Sequence, residues 1–185
     1  MMIVVLAGVA GSGKTAVGKV LAARLGWVFE DTDALHSRAD IAKMHAGIPL
    51  TDADRWPWLQ AVARWMDERI ADGTPAVVAC SVLKRSYRDY LYRGRPAVRI
   101  VLLQVDPATL ATRLLGRRGH FFPAKLLQSQ LALLEMPDHD ERTLVVPAVH
   151  SPAETADEII RRLGLNPVAE GGLPWGPGQG RETER

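Results

Sequence analysis

The sequence predicts an α/β fold, a parallel five-stranded sheet between layers of helices, and three observations carry that reading. Short β-branched runs alternate with segments of helical periodicity, as expected of βαβ units. A glycine-rich segment, Gly8 to Thr15, falls where the first run gives way to the first periodic segment. The length, 185 residues, suits one such domain and is too short for two.

Ile3 to Ala7 reads as the first strand. Residues 16–25 place Val17, Val20, Leu21 and Leu25 at helical spacing and stop at Gly26, a residue suited to a left-handed helix end. Trp27 to Glu30 reads as the second strand. Thr51 to Asp54 has the pattern of a capping box, and it opens a helix whose Trp58, Val62, Trp65, Met66 and Ile70 form one apolar stripe, read as core. Ala76 to Cys80 and Val98 to Val105 are the third and fourth strands. Asp106-Pro107 begins a further helix, Lys125 to Glu135 forms another, Leu144 to Val146 is the fifth strand, and Ala153 to Leu163 is the last helix. From Asn166 to Arg185 the chain is rich in Gly and Pro and lacks periodicity, so it is expected to be a flexible tail on a domain spanning 1–165.

Composition narrows the function classes. Apolar residues make up 47% and charged residues 24%, which is ordinary for a globular core. The 23 basic and 21 acidic residues nearly balance, and no Lys/Arg run with interleaved aromatics appears, so a nucleic-acid partner is not expected. A single cysteine, Cys80, excludes an intramolecular disulfide framework and points to a reducing compartment, the cytoplasm. No stretch approaches the ~20 apolar residues that span a bilayer, and the apolar start lacks the basic flank of a signal peptide.

Gly8-Val-Ala-Gly-Ser-Gly13-Lys14-Thr15 satisfies G-x-x-x-x-G-K-[ST] in the strand-to-helix context that motif requires. Its glycines let successive backbone N–H groups turn inward around phosphate oxygens, and the helix N-terminus adds partial positive charge. Lys14 would reach the β- and γ-phosphates, and the Thr15 hydroxyl would ligate Mg²⁺. The same residues fit the dinucleotide pattern G-x-G-x-x-A, but that pattern needs neither Gly8 nor a Lys-Thr pair.

A second constellation, Glu30-Asp31-Thr-Asp33, ends the second strand and should face the same crevice, because parallel sheets bind ligands beyond the carboxyl ends of their strands. Asp31 would hold water around Mg²⁺, and Asp33 would accept a hydrogen bond from an acceptor hydroxyl. The alternative is that Asp33 caps a helix beginning at Ala34. On a regular helix from Ala34, His36 and Lys43 would share a face and Arg38 would point nearly the opposite way. Asp106 reads as a helix cap rather than a metal-binding carboxylate.

Taken in order, the phosphate loop, Asp31-Thr-Asp33-Ala-Leu-His36, Lys43-Met44, Gly47 to Leu59, Cys80 to Asp89, Arg118-Gly-His120-Phe121, Leu126 to Gln130 and Leu134-Glu135 resemble the gluconokinases over residues 3–146. These are ATP:D-gluconate 6-phosphotransferases that share the fold of nucleoside-monophosphate and shikimate kinases. The resemblance implies a three-layer P-loop NTPase fold with strand order 2-3-1-4-5, a short lid at about 113–125, and a homodimer. It implies ATP binding by Gly8, Ala10, Gly11, Ser12, Gly13, Lys14, Thr15, Ala16, Arg113 and Arg117, with Lys14, Asp33 and Arg117 catalytic. Gluconate, a carboxylate with a row of hydroxyls, would be held by cations and hydrogen-bonding groups drawn from Asp33, His36, Arg38, Lys43, Arg55, Lys84, Arg88, His120 and Gln130. Mg²⁺ would be held by Thr15 and, through water, by Asp31. A kinase of the same fold acting on another small acid such as shikimate, or on a nucleoside monophosphate, is the alternative enzyme. A non-catalytic ATP-binding module is the alternative from another class.

Overall fold

The structure, a computed structural model, describes residues 1–115 and 124–168. Its centre is β1 (Ile3–Ala7), a five-residue run in which every side chain is buried. Such a strand must be covered on both faces, and it is flanked in parallel by β3 (Ala76–Ala79) and β4 (Val98–Gln104). Outside them pair β2 (Val28–Asp31) and β5 (Thr143–Pro147), giving the order β2-β3-β1-β4-β5 anticipated from the family resemblance.

Alternation along β1 divides the core. Ile3 and Val5 face α3 (Asp52–Ala71) and α4 (Arg85–Tyr92), where Trp58, Leu59, Val62, Met66, Tyr87 and Leu91 pack. Val4 and Leu6 face α1 (Lys14–Leu25) and α7 (Pro152–Leu163), packing on Val17, Leu21, Leu25, Ala156 and Ile159. Three layers result, and the apolar stripe read from the sequence is core, as expected.

Caps set the helix ends. Gly26 closes α1 in the left-handed conformation (φ 66°), which costs glycine little. Thr51 and Asp54 form the expected capping box: the Thr51 hydroxyl accepts from the Asp54 amide, while the Asp54 carboxylate accepts from the Thr51 amide at 2.9 Å. A second box, Ser151 with Glu154, opens α7. Asp106 accepts from the Thr109 amide at 2.9 Å and caps α5 (Pro107–Leu115), in line with its reading as a cap. The expected helix from Ala34 is corrected. Thr32–Leu35 is a 3-10 turn capped by Asp31, and α2 begins at Arg38 (Arg38–His45) with Ser37 as its cap. Ser37 and Asp31 each supply an oxygen to a backbone amide two or three residues ahead, which breaks one continuous helix into two pieces. His36 therefore lies between them in extended conformation, and the shared face assumed for His36 and Lys43 does not exist.

Behind the sheet edge, Arg88 and Glu141 form a fully buried bidentate pair, Nε to Oε2 at 2.7 Å and Nη2 to Oε1 at 2.8 Å. Burial by itself would raise the Glu141 pKa, but the hydrogen-bonded guanidinium reverses this and holds it below its ordinary value. Arg88 Nη1 also donates to the carbonyls of Leu83 and Glu135, joining the end of β3 to the segment after α6 (Ala124–Leu133). Removing one partner strands a buried charge, so Arg88→Ala should lower the urea-unfolding free energy by about 3–5 kcal/mol. A loss below about 1 kcal/mol would show that the pair does not fasten these segments.

Three residues of the expected tail, Asn166 to Val168, are described. Val168 donates its amide to Arg24 O at 2.8 Å and lies over Gly26, so Asn166 to Val168 follow the body. Residues 169–185 of the expected flexible tail lie outside the described residues. Truncation after Val168 should leave the melting temperature and kcat unchanged, whereas truncation after Leu165 should cost about 1 kcal/mol through the lost hydrogen bond and contact. Equal melting temperatures for the two truncations would contradict this placement. Among the described residues, no helix is long and apolar enough to cross a membrane.

Candidate active site

The carboxyl ends of the strands converge on a cavity of about 530 Å³. One wall comes from the loop Gly8 to Thr15, through Ala10, Gly11, Gly13, Lys14 and Thr15. Gly8 (φ 141°) and Gly13 (φ 99°) hold backbone conformations that side chains rarely adopt, and a Cβ on Gly8 would stand 2.7 Å from Ser12 Oγ. Gly13 also caps α1 without offering a side-chain acceptor, and the first turn carries no acidic residue. The boxed starts of α3 and α7 satisfy their own amides; the start of α1 leaves its donors for an anion.

Lys14 folds over the loop, its Nζ donating to Gly8 O at 2.9 Å and Val9 O at 3.1 Å. Thr15 Oγ1 donates to Asp31 Oδ2 at 2.8 Å, so the two oxygens expected at Mg²⁺ are side by side on the cavity wall. Both are hard oxygen donors, which suits that ion. No cluster of three or more His, Cys, Asp or Glu placed to hold a metal occurs among the described residues.

Asp33 lines the cavity and is exposed to it. Its own carboxylate caps nothing, because Asp31 caps the 3-10 turn and Ser37 caps α2. His36 stacks on Trp58 with ring centroids 4.5 Å apart and planes 8° from parallel. Its buried Nδ1 has no hydrogen-bond partner among the described residues. Burial lowers the His36 pKa, outweighing the nearby carboxylates of Asp33 and Asp40, so the ring is neutral at pH 7. Arg55 is 8% exposed, lines the cavity, and forms no ion pair with the described residues. Gln130, on α6, accepts the Ala10 amide at 2.6 Å through Oε1.

Other expected ligands are placed elsewhere. Lys84 stands at the N-cap position of α4, where its side chain makes no cap bond and instead pairs with Asp52 at 2.7 Å, and Asp52 also accepts from the Tyr87 hydroxyl. Lys43 pairs with Asp54 at 2.7 Å, which helps pull the Asp54 carboxyl down to about 2. Arg38 is exposed at the start of α2. Arg88, expected at the substrate, is instead sealed against Glu141. None of these four borders the cavity. Arg117 and His120, with most of the expected lid, lie outside the described residues. Arg113 borders a second cavity of about 370 Å³ that shares Gly11, Gly13 and Ala16 with the first, and its Nη2 donates to Ala148 O at 2.7 Å.

Sequence reasoning missed several wall residues. Trp58 was read as core; it is 3% exposed and core, yet it also forms the cavity wall and donates from Nε1 to Thr32 O at 2.8 Å. Ser81, just past β3, had a usable signal in its place at a strand's carboxyl end. His150 and Thr155, beside Arg113, had none, because they enter through the start of α7.

A relative from Gluconobacter oxydans described as a gluconokinase is 47% identical over 159 residues, covering 86% of this chain and 89% of its own. The chain belongs to the gluconokinase family. The protein-family model for an AAA domain matches residues 3–137 of this family member. Two solved structures are similar throughout. A sugar kinase from Janibacter sp. HTCC2649, unliganded, matches with TM-score 0.84 and 43% identity over 89% of this chain and 95% of that one. A gluconokinase from Sinorhizobium meliloti 1021 matches with TM-score 0.79 and 45% identity over 88% and 91%. Gluconokinase family membership and the observed sheet order thus agree on an ATP-dependent phosphotransferase of the P-loop class.

Proposed function

We propose that this chain transfers the γ-phosphoryl group of ATP to the 6-hydroxyl of D-gluconate, giving 6-phospho-D-gluconate and ADP. The observation that carries the reading is one cavity shared by a phosphate cradle, the Asp33 carboxylate and the Arg55 guanidinium. A volume of about 530 Å³ suits a small, polar acceptor beside a phosphate chain.

The amides at the start of α1 and the Lys14 ammonium hold the phosphates and meet charge as it develops. Asp33 accepts the proton of the attacking hydroxyl as the new O–P bond forms and the bond from the γ-phosphorus to the β,γ-bridging oxygen breaks; ADP departs with that oxygen. Arg55, which lines the cavity and forms no ion pair with the described residues, suits the sugar acid's carboxylate. Neutral His36, held against Trp58, has a ring nitrogen for a sugar hydroxyl. Thr15 and, through water, Asp31 would hold Mg²⁺, which would supply neutralisation of phosphate charge. Arg113 stands at the second cavity, where the nucleoside end would lie, and Arg117 and His120 would complete the site from the lid. The cytoplasm is the compartment supported by the lone buried Cys80, a homodimer is supported by the family resemblance, and neither nucleic acid nor membrane is a partner in this reading.

Coupled ADP release with gluconate, other sugar acids, shikimate and nucleoside monophosphates tests the substrate. Gluconate should exceed every other acceptor in kcat/KM by at least about a hundredfold, the range set by polar groups left unpaired in a mismatched site. A preference for shikimate or a nucleotide would replace the substrate; no ADP release with any acceptor would favour the binding-module alternative.

A further inference from the structure

Ala10 and Gln130 are 120 residues apart, yet the Ala10 amide and Gln130 Oε1 form a 2.6 Å hydrogen bond at the cradle. An amide N–H can only donate, so the Gln130 atom facing it is the carbonyl oxygen and the side-chain NH₂ is turned elsewhere. Ala10 borders the larger cavity alone, whereas Ser12 and Val17 border the second alone. A phosphate chain running along the loop between the two cavities would therefore bring its transferable end beside Ala10. A phosphate oxygen there is an acceptor, as the Gln130 carbonyl is, and the two compete for one N–H.

We propose that Gln130 is a positioning residue that distinguishes ATP from ADP: the γ-phosphate takes over the Ala10 amide, and the Gln130 side chain turns its NH₂ toward the phosphate oxygens. The inference rests on ATP being the phosphoryl donor. The elements that carry Ala10 and Gln130 pack on one another, so the exchange needs only a side-chain rotation. Leu127 and Leu131 of α6 pack with Val9 and Leu110, and past the helix the Glu135 amide donates to Leu83 O at 3.0 Å.

Equilibrium binding of ADP and of a non-hydrolysable ATP analogue, measured without sugar acid, tests this. In Gln130→Glu the carboxylate accepts the Ala10 amide more strongly and has no N–H to offer phosphate, so analogue affinity should fall about tenfold or more, with ADP affinity within about threefold of wild type. Gln130→Ala removes competitor and donor together. Its analogue affinity should stay within about threefold while kcat falls about tenfold, and its melting temperature should hold. Equal weakening of both nucleotides in Gln130→Glu, or no weakening of either, would overturn the proposal, as would a wild-type kcat in Gln130→Ala. Because the binding arm contains no sugar acid, failure of gluconate as acceptor leaves it standing. A wild-type protein that binds neither nucleotide would overturn both readings.

Discussion

Lys14→Ala is expected to lower kcat by at least about a thousandfold while the chain still folds, because the ammonium is the cation placed on the cradle itself. Its Nζ donates to two loop carbonyls, Gly8 O and Val9 O. Moving from carbonyl dipoles to phosphate charge is a short motion of a flexible side chain, and the interaction grows as charge develops on the transferring group. Steady-state kinetics with a melting curve checks this. A folded variant turning over near the wild-type rate would mean that the cradle does not serve phosphoryl transfer.

Asp33→Asn should lower kcat by about 10²- to 10⁴-fold with ATP binding close to normal, since loss of a general base carries that range. The structure sharpens the comparison with a capping role. Asp31 and Ser37 supply the local caps, so Asp33→Asn should change the unfolding free energy by no more than about 0.5 kcal/mol. The phosphate loop and Thr15 are untouched. If the variant kept more than about a third of wild-type kcat, the base would have to be sought at Asp31.

Much of the fold was legible because its signals are local. Continuous burial of Ile3 to Ala7, the glycine end of α1 and the Thr51–Asp54 box each follow from a few neighbouring residues. Strand order was not local and came through the family resemblance. At the site, the loop and the Thr15–Asp31 pair were readable from strand-end positions, because a parallel sheet sends those ends to one crevice. The basic residues were not separable by sequence. Arg55 and Arg88 are both buried arginines after strand ends, and what distinguishes them is Glu141, a partner 53 residues from Arg88 that only the tertiary structure brings into contact. Lys43 and Lys84 are likewise matched by Asp54 and Asp52, on the first turn of α3. The break between His36 and Arg38 was missed because Ser37 caps the second piece, a competition between side-chain and backbone acceptors that apolar periodicity does not report.

The central claim, γ-phosphoryl transfer to the 6-hydroxyl of gluconate at the Asp33 end of the cavity, is tested most directly by ³¹P and ¹H NMR of the product formed from ATP and gluconate. A phosphomonoester whose phosphorus couples to the two protons of a terminal CH₂ is the expected result. Phosphate on a secondary carbon, or ATP consumed with no phosphorylated gluconate formed, would contradict it.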